Sequence, residues 1–107
     1  LKELSVDLFL GAPFNYAGYA LLLHMVAYLT NSKARSLIWV AGDAHIYHNH
    51  FDAVRTLLDN TPLEDTARLS FDFEKAGPVK TIDDFTFEHL KVDGYRSHKT
   101  IKAPVAV

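Results

Sequence analysis

The sequence predicts an α+β fold, with a mixed sheet packed on one long buried helix. Three observations predict it. Residues 16–29 form an apolar run of helical length with almost no polar face. Residues 36–42 (Ser-Leu-Ile-Trp-Val-Ala-Gly) are short, β-branched and aromatic, as a buried strand is. Residues 67–73 alternate Leu69, Phe71 and Phe73 with polar neighbours, the period of a half-buried strand.

In chain order, residues 7–15 read as a loop. Gly11 and Pro13 punctuate a turn there, and Asn15 is placed to cap the helix that follows by accepting from a free first-turn N–H. The spacing predicts that helix over residues 16–30, with Asn31, Ser32 and Lys33 ending it. Its alanines and Gly18 admit close neighbours, and its apolar surround demands cover from upstream residues or a second subunit. The strand over 36–42 comes next. Phe51, Val54, Leu57 and Leu58 have the spacing of a second helix, stopped by Asn60, Thr61 and Pro62. After the strand over 67–73, Gly77 and Pro78 turn the chain. Residues 82–92 combine a helical turn with a further strand, and an apolar tail runs from Ile101.

Composition narrows the function. The 107 residues are 49% hydrophobic and 22% charged, which suits one globular domain and not a disordered chain. Eleven Lys and Arg against 13 Asp and Glu, with no basic block, leave no electrostatic footprint for nucleic acid. There is no cysteine, so these residues contain no disulfide, no thiolate metal site and no cysteine nucleophile. This agrees with a cytoplasmic protein. No apolar leader is visible, and the run at 16–29, interrupted by His24, is too short to span a bilayer.

The densest polar cluster is Gly42-Asp43-Ala44-His45-Ile46-Tyr47-His48-Asn49-His50. It admits three readings: a metal site, whose spacing is unspecific; helix capping by Asn49 with solvent-facing histidines; or a strand end that presents polar groups to a ligand. No metal is expected. His24 reads as a hydrogen-bonded core histidine, and Asp83 with Asp84 as a solvated turn. The apolar C-terminus reads either as a last strand tucked into the sheet or as a tail that closes over a bound ligand.

Several separated motifs carry a family resemblance. They are Ser5-Val6-Asp7 with Phe9-Leu10-Gly11, Pro13-Phe14-Asn15, Tyr19-Ala20-Leu21-Leu22 with His24-Met25, and Gly42-Asp43 with His45, Tyr47, Asn49 and His50. Gly94-Tyr95, His98, Ile101 and the closing Lys102-Ala103-Pro104-Val105-Ala106-Val107 complete the set. In this order they resemble the C-terminal part of thymidylate synthase, so residues 1–107 are expected to be the C-terminal part of that domain.

The resemblance implies a homodimeric α+β enzyme that converts dUMP to dTMP, with 5,10-methylenetetrahydrofolate supplying carbon and hydride. It implies dUMP contacts from Ser5 to the phosphate, from Asn15 to the uracil edge, and from His45 and Tyr47 to the deoxyribose 3′-hydroxyl. Asp7 would lie between nucleotide and folate and bond the pterin. Gly11, Phe14, Val105, Ala106 and Val107 would border or close the folate pocket. Asn15 favours uracil, because the related branch acting on cytosine nucleotides carries Asp there.

Two departures stand out. The family usually has Arg immediately before the serine; here it is Leu4, with Glu3 beside it. The family's nucleophile is a cysteine upstream of the matched region, so no catalytic residue is expected within this sequence and turnover is not expected from it alone. The alternatives are a nucleotide hydroxymethyltransferase of the same superfamily and a non-catalytic remnant of the fold. The weakest alternative is a histidine metal module.

Overall fold

The computed structural model describes residues 2–105. In chain order they form β1 (Lys2–Asp7), α1 (Ala12–Leu29), β2 (Val40–His45), a 3-10 turn (His48–His50) running into α2 (Phe51–Asp59), β3 (Arg68–Phe71) and α3 (Phe73–Ala76). Two further 3-10 turns, Ile82–Asp84 and Phe87–His89, lead into β4 (Leu90–Asp93). The fold is α+β, as expected. The pairing is mixed, but its two kinds occupy separate two-stranded sheets: β1–β2 is parallel and β3–β4 antiparallel. The chain divides into two compact units, and α1 passes from the first to the second after Ala20.

The first unit gathers residues 2–20, 36–62 and 98–105. β1, where the sequence reading places no strand, is held by its parallel ladder to β2, with Ser5 opposite Asp43, Val6 opposite Ala44 and Asp7 opposite His45. Alternation puts Glu3, Ser5 and Asp7 on one face and Val6, which is buried, on the other. Leu8 N–H extends the ladder by donating to the His45 carbonyl at 2.9 Å. That pairing also explains why β2 begins and ends later than the apolar run predicts: the strand stops where its partner does. Gly42 permits the close pairing, since a Cβ there would stand 3.0 Å from the Leu4 carbonyl oxygen.

α1 starts three residues before Asn15. The Gly11 carbonyl accepts from both Phe14 N–H and Asn15 N–H at 3.1 Å, and Pro13 sits in the first turn, where a missing N–H leaves no bond unmade. Asn15 is therefore a first-turn residue and not the cap. The expected burial of the helix is also corrected. Only Ala12 and Ala27 are buried along it, and His24 is exposed. These residues do not surround the apolar helix; Tyr16 meets Trp39 edge-on at 5.0 Å, and Trp39 Nε1–H donates to Glu3 Oε2 at 2.7 Å.

The second unit gathers residues 21–35 and 63–97. α1 ends as expected at Asn31, which takes the left-handed conformation at φ 51°. Ser32 N–H then reaches back to the Ala27 carbonyl at 2.8 Å, satisfying a terminal acceptor. Tyr28 stacks on Phe73 at 4.7 Å and meets Phe71 and Phe85 edge-on. Asp83 and Asp84 lie in a capped turn: Lys80 and Thr81 N–H donate to Asp84 Oδ2 at 2.9 and 2.8 Å. These two backbone donors hold the Asp84 carboxyl below the usual aspartate range. Among the described residues, no helix is long and apolar enough to cross a membrane.

Candidate functional site

Ser5, Asp7, Asn15, His45 and Tyr47, the polar residues given site roles by the resemblance, fall in the first unit. Asp7 ends β1, and the chain turns there because its carboxylate Oδ1 accepts from Phe9 N–H at 3.1 Å and from Leu10 N–H at 3.4 Å. One oxygen is thus committed to the turn. Oδ2 has no hydrogen-bond partner among the described residues. Asp7 is an acceptor-only group held rigidly with one oxygen available, which suits a ligand edge made of N–H donors.

Gly11 stands against this turn. A Cβ there would lie 3.1 Å from the Asp7 carbonyl oxygen, 3.5 Å from Asp7 Cβ and 3.7 Å from Asn15 Oδ1. The close approach Gly11 allows is thus to Asp7 itself. Asn15 is half-buried and its amide makes no hydrogen bond among the described residues, so donor and acceptor are both free.

β2 delivers His45 opposite Asp7. The His45 and Tyr47 rings meet edge-on at 4.9 Å, although the strand ends at His45 and Tyr47 is only extended (φ −66°, ψ 146°). His45 Nδ1 lies 3.9 Å from Asp43 Oδ2. Tyr47 meets His50 at 5.6 Å, and Phe9 meets the same ring at 5.6 Å. His50 is fully buried. Its Nε2–H donates to the Pro104 carbonyl at 2.7 Å, which anchors the C-terminal segment, and its Nδ1 stands 3.8 Å from Asp7 Oδ1.

The structure therefore brings Asp7, Gly11, Asn15, His45 and Tyr47 into one neighbourhood. Ser5 lies two residues up β1 on the same strand face, exposed, and in register with Asp43. Leu4 is 78% exposed. Phe14 and Val105 are exposed, at 81% and 76%, and Phe14 makes no ring contact among the described residues. Ala106 and Val107 lie outside the described residues.

Residues 101–105 form no strand, which overturns the reading of the tail as a last strand of the sheet. Asn49 is exposed inside the 3-10 turn, and the helix entry has no side-chain cap, so the capping reading of that residue is corrected too. Among the described residues, no three His, Asp or Glu side chains converge as a metal-binding group. His50 and Phe9 are the residues whose position sequence reasoning missed. Both stand in the matched motifs, but nothing local says that a histidine at a helix start is buried.

A rigid carboxylate, a free amide and an imidazole–phenol pair are gathered at the end of a parallel strand pair, where they present acceptors and donors together. The family model for thymidylate synthase matches residues 1–107. The chain belongs to the thymidylate synthase family, a family of nucleotide-biosynthesis methyltransferases whose substrates are dUMP and methylenetetrahydrofolate.

Proposed function

We propose that these residues form the nucleotide-reading and folate-facing wall of a thymidylate synthase, the C-terminal part of its domain, which methylates dUMP to dTMP. The family match along the whole sequence carries the proposal, and the shared neighbourhood of Asp7, Asn15, His45 and Tyr47 supports it. Asn15 bonds uracil O4 and N3–H with its free amide, since an amide both accepts and donates. His45 and Tyr47 bond the sugar 3′-hydroxyl, and Ser5 meets the phosphate. Asp7 offers Oδ2 to pterin N–H donors. Phe14 and Val105, with Ala106 and Val107, supply apolar cover that excludes water. Methylenetetrahydrofolate supplies the carbon and the hydride when bound. The attacking thiolate comes from residues outside this sequence, which has no cysteine. The working enzyme is a homodimer.

The test is a product assay on the complete protein that carries these residues, with dUMP and methylenetetrahydrofolate. Formation of dTMP with release of dihydrofolate is the expected result. A 5-hydroxymethyl product would assign the hydroxymethyltransferase reaction, and binding of dUMP without any product would assign the remnant.

A further inference from the structure

Two histidines are almost wholly sealed from solvent, His50 at 0% exposure and His89 at 2%, and they differ in one respect. His89 is saturated. Its Nε2–H donates to the Gly77 carbonyl at 3.0 Å, and its Nδ1 accepts from Thr86 N–H at 3.0 Å. That is how a histidine looks when it serves packing alone. His50 carries the same proton, because the Pro104 carbonyl can only accept. Its Nδ1, however, has no hydrogen-bond partner among the described residues and faces Asp7 Oδ1 at 3.8 Å. With the ring neutral, two acceptors face each other, and His50 Nδ1 is sealed from solvent, where an unmet polar atom is costly.

We propose that His50 is a positioning residue whose tautomer couples the C-terminal segment to the Asp7 carboxylate. With the segment docked, Pro104 holds the proton on Nε2. The bare Nδ1 then offers Asp7 nothing, so Oδ1 stays with the Phe9 and Leu10 N–H groups and Oδ2 is left for a ligand. When the segment leaves, Nε2 loses its acceptor. The ring releases that proton to solvent and takes one at Nδ1, with no net change in charge. Nδ1–H then donates to Asp7 Oδ1 and draws the carboxylate away from the ligand's donors. Linkage makes the effect reciprocal: a ligand that engages Asp7 favours the Nε2–H form and so favours docking of the segment. The consequence for folate rests on the assignment of Asp7 to the pterin, whereas the tautomer change does not.

The experiment has two arms on the complete protein. The first reads the His50 ring by ¹⁵N NMR, without ligand, in the unaltered protein and after removal of residues 104–107. The expected result is Nε2–H before removal and Nδ1–H after it. Persistence of Nε2–H after removal overturns the proposal.

The second arm uses two substitutions. His50→Gln keeps a donor where Nε2 lies and has nothing at Nδ1, so folate KM stays within about threefold of the original. His50→Asn keeps a donor where Nδ1 lies and cannot reach Pro104, so folate KM rises by about tenfold or more while dUMP affinity holds within about twofold, in the usual range of coupling between sites. Equal losses for folate and dUMP in both variants make His50 merely structural and overturn the proposal. Failure of the unaltered protein to bind folate overturns the functional assignment of Asp7 instead, and leaves the tautomer arm to decide the coupling.

Discussion

Under the proposed function Asp7 has two tasks for its two oxygens, and two substitutions separate them. Oδ1 accepts the Phe9 and Leu10 N–H groups and so builds the turn from β1 toward α1. Oδ2 has no hydrogen-bond partner among the described residues and is the oxygen proposed to meet the ligand. Asp7→Ala removes both tasks. The Leu10 bond is long at 3.4 Å and the Asp7 side chain is 22% exposed, so water partly replaces what is lost. The expected cost to folding is about 1–2 kcal/mol, the lower part of the range for losing a charged acceptor.

Asp7→Asn keeps a carbonyl oxygen for the turn and loses only the charge, so about 0.5–1 kcal/mol is expected. At the ligand the order reverses in kind. The amide NH2 of Asn places a donor where Oδ2 accepted, donor meets donor, and loss of one charge-assisted bond of about 1.5–3 kcal/mol lowers folate affinity roughly 10- to 150-fold. Urea unfolding measures the first effect, and folate KM at saturating dUMP the second. Two results would refute the division of labour: an Asn variant with unchanged folate KM, or Asn and Ala variants equally destabilised.

Leu4→Arg should tighten dUMP binding roughly 10- to 150-fold, because the family usually carries Arg before the serine, Leu4 is exposed with room for a longer side chain, and an arginine that reaches the proposed phosphate site adds a charge-assisted contact of about 1.5–3 kcal/mol. Isothermal titration with dUMP against deoxyuridine checks it, since only the phosphorylated ligand should gain. Asn15→Asp should shift preference from uracil toward cytosine nucleotides, with folding unchanged or slightly improved. The side chain holds no internal bond, and a carboxylate in the first turn of α1 favours the helix by about 0.3–1 kcal/mol. Competition between dUMP and dCMP reads the preference, and an unaltered ratio would reject the role given to Asn15.

Asp84 tests a pH effect away from the site. Its folded-state pKa lies below the unfolded value because Lys80 and Thr81 N–H groups donate to its carboxylate. The stabilisation is therefore complete above the ordinary aspartate range and is lost as pH falls from there through the lowered folded-state value. Asp84→Asn should flatten the acid limb of a stability profile taken from about pH 6 to about pH 2, and leave the slope near neutrality unchanged.

The sequence was legible where local physics decides. Asn31 stops α1 because a left-handed residue there lets Ser32 reach back to Ala27, and both residues are written at the expected place. α1 starts earlier than the sequence predicts because Pro13, a turn signal elsewhere, disrupts nothing in the first turn of a helix. β1 was missed although Leu4, Val6 and Leu8 alternate with polar residues, since six residues of weak pattern carry little signal without a partner strand.

The chain by itself determined the family, the α+β class and the polar residue types offered to a ligand: an acceptor in Asp7, an amide in Asn15, an imidazole and a phenol in His45 and Tyr47. Only the tertiary structure decided that Asp7 registers with His45, that one Asp7 oxygen is consumed by a turn, and that His50 is buried between Asp7 and Pro104. The physical reason is distance along the chain. A parallel pairing between residues some forty positions apart, and a hydrogen bond from His50 to Pro104, are set by the closing of long loops and by burial, which no local propensity records.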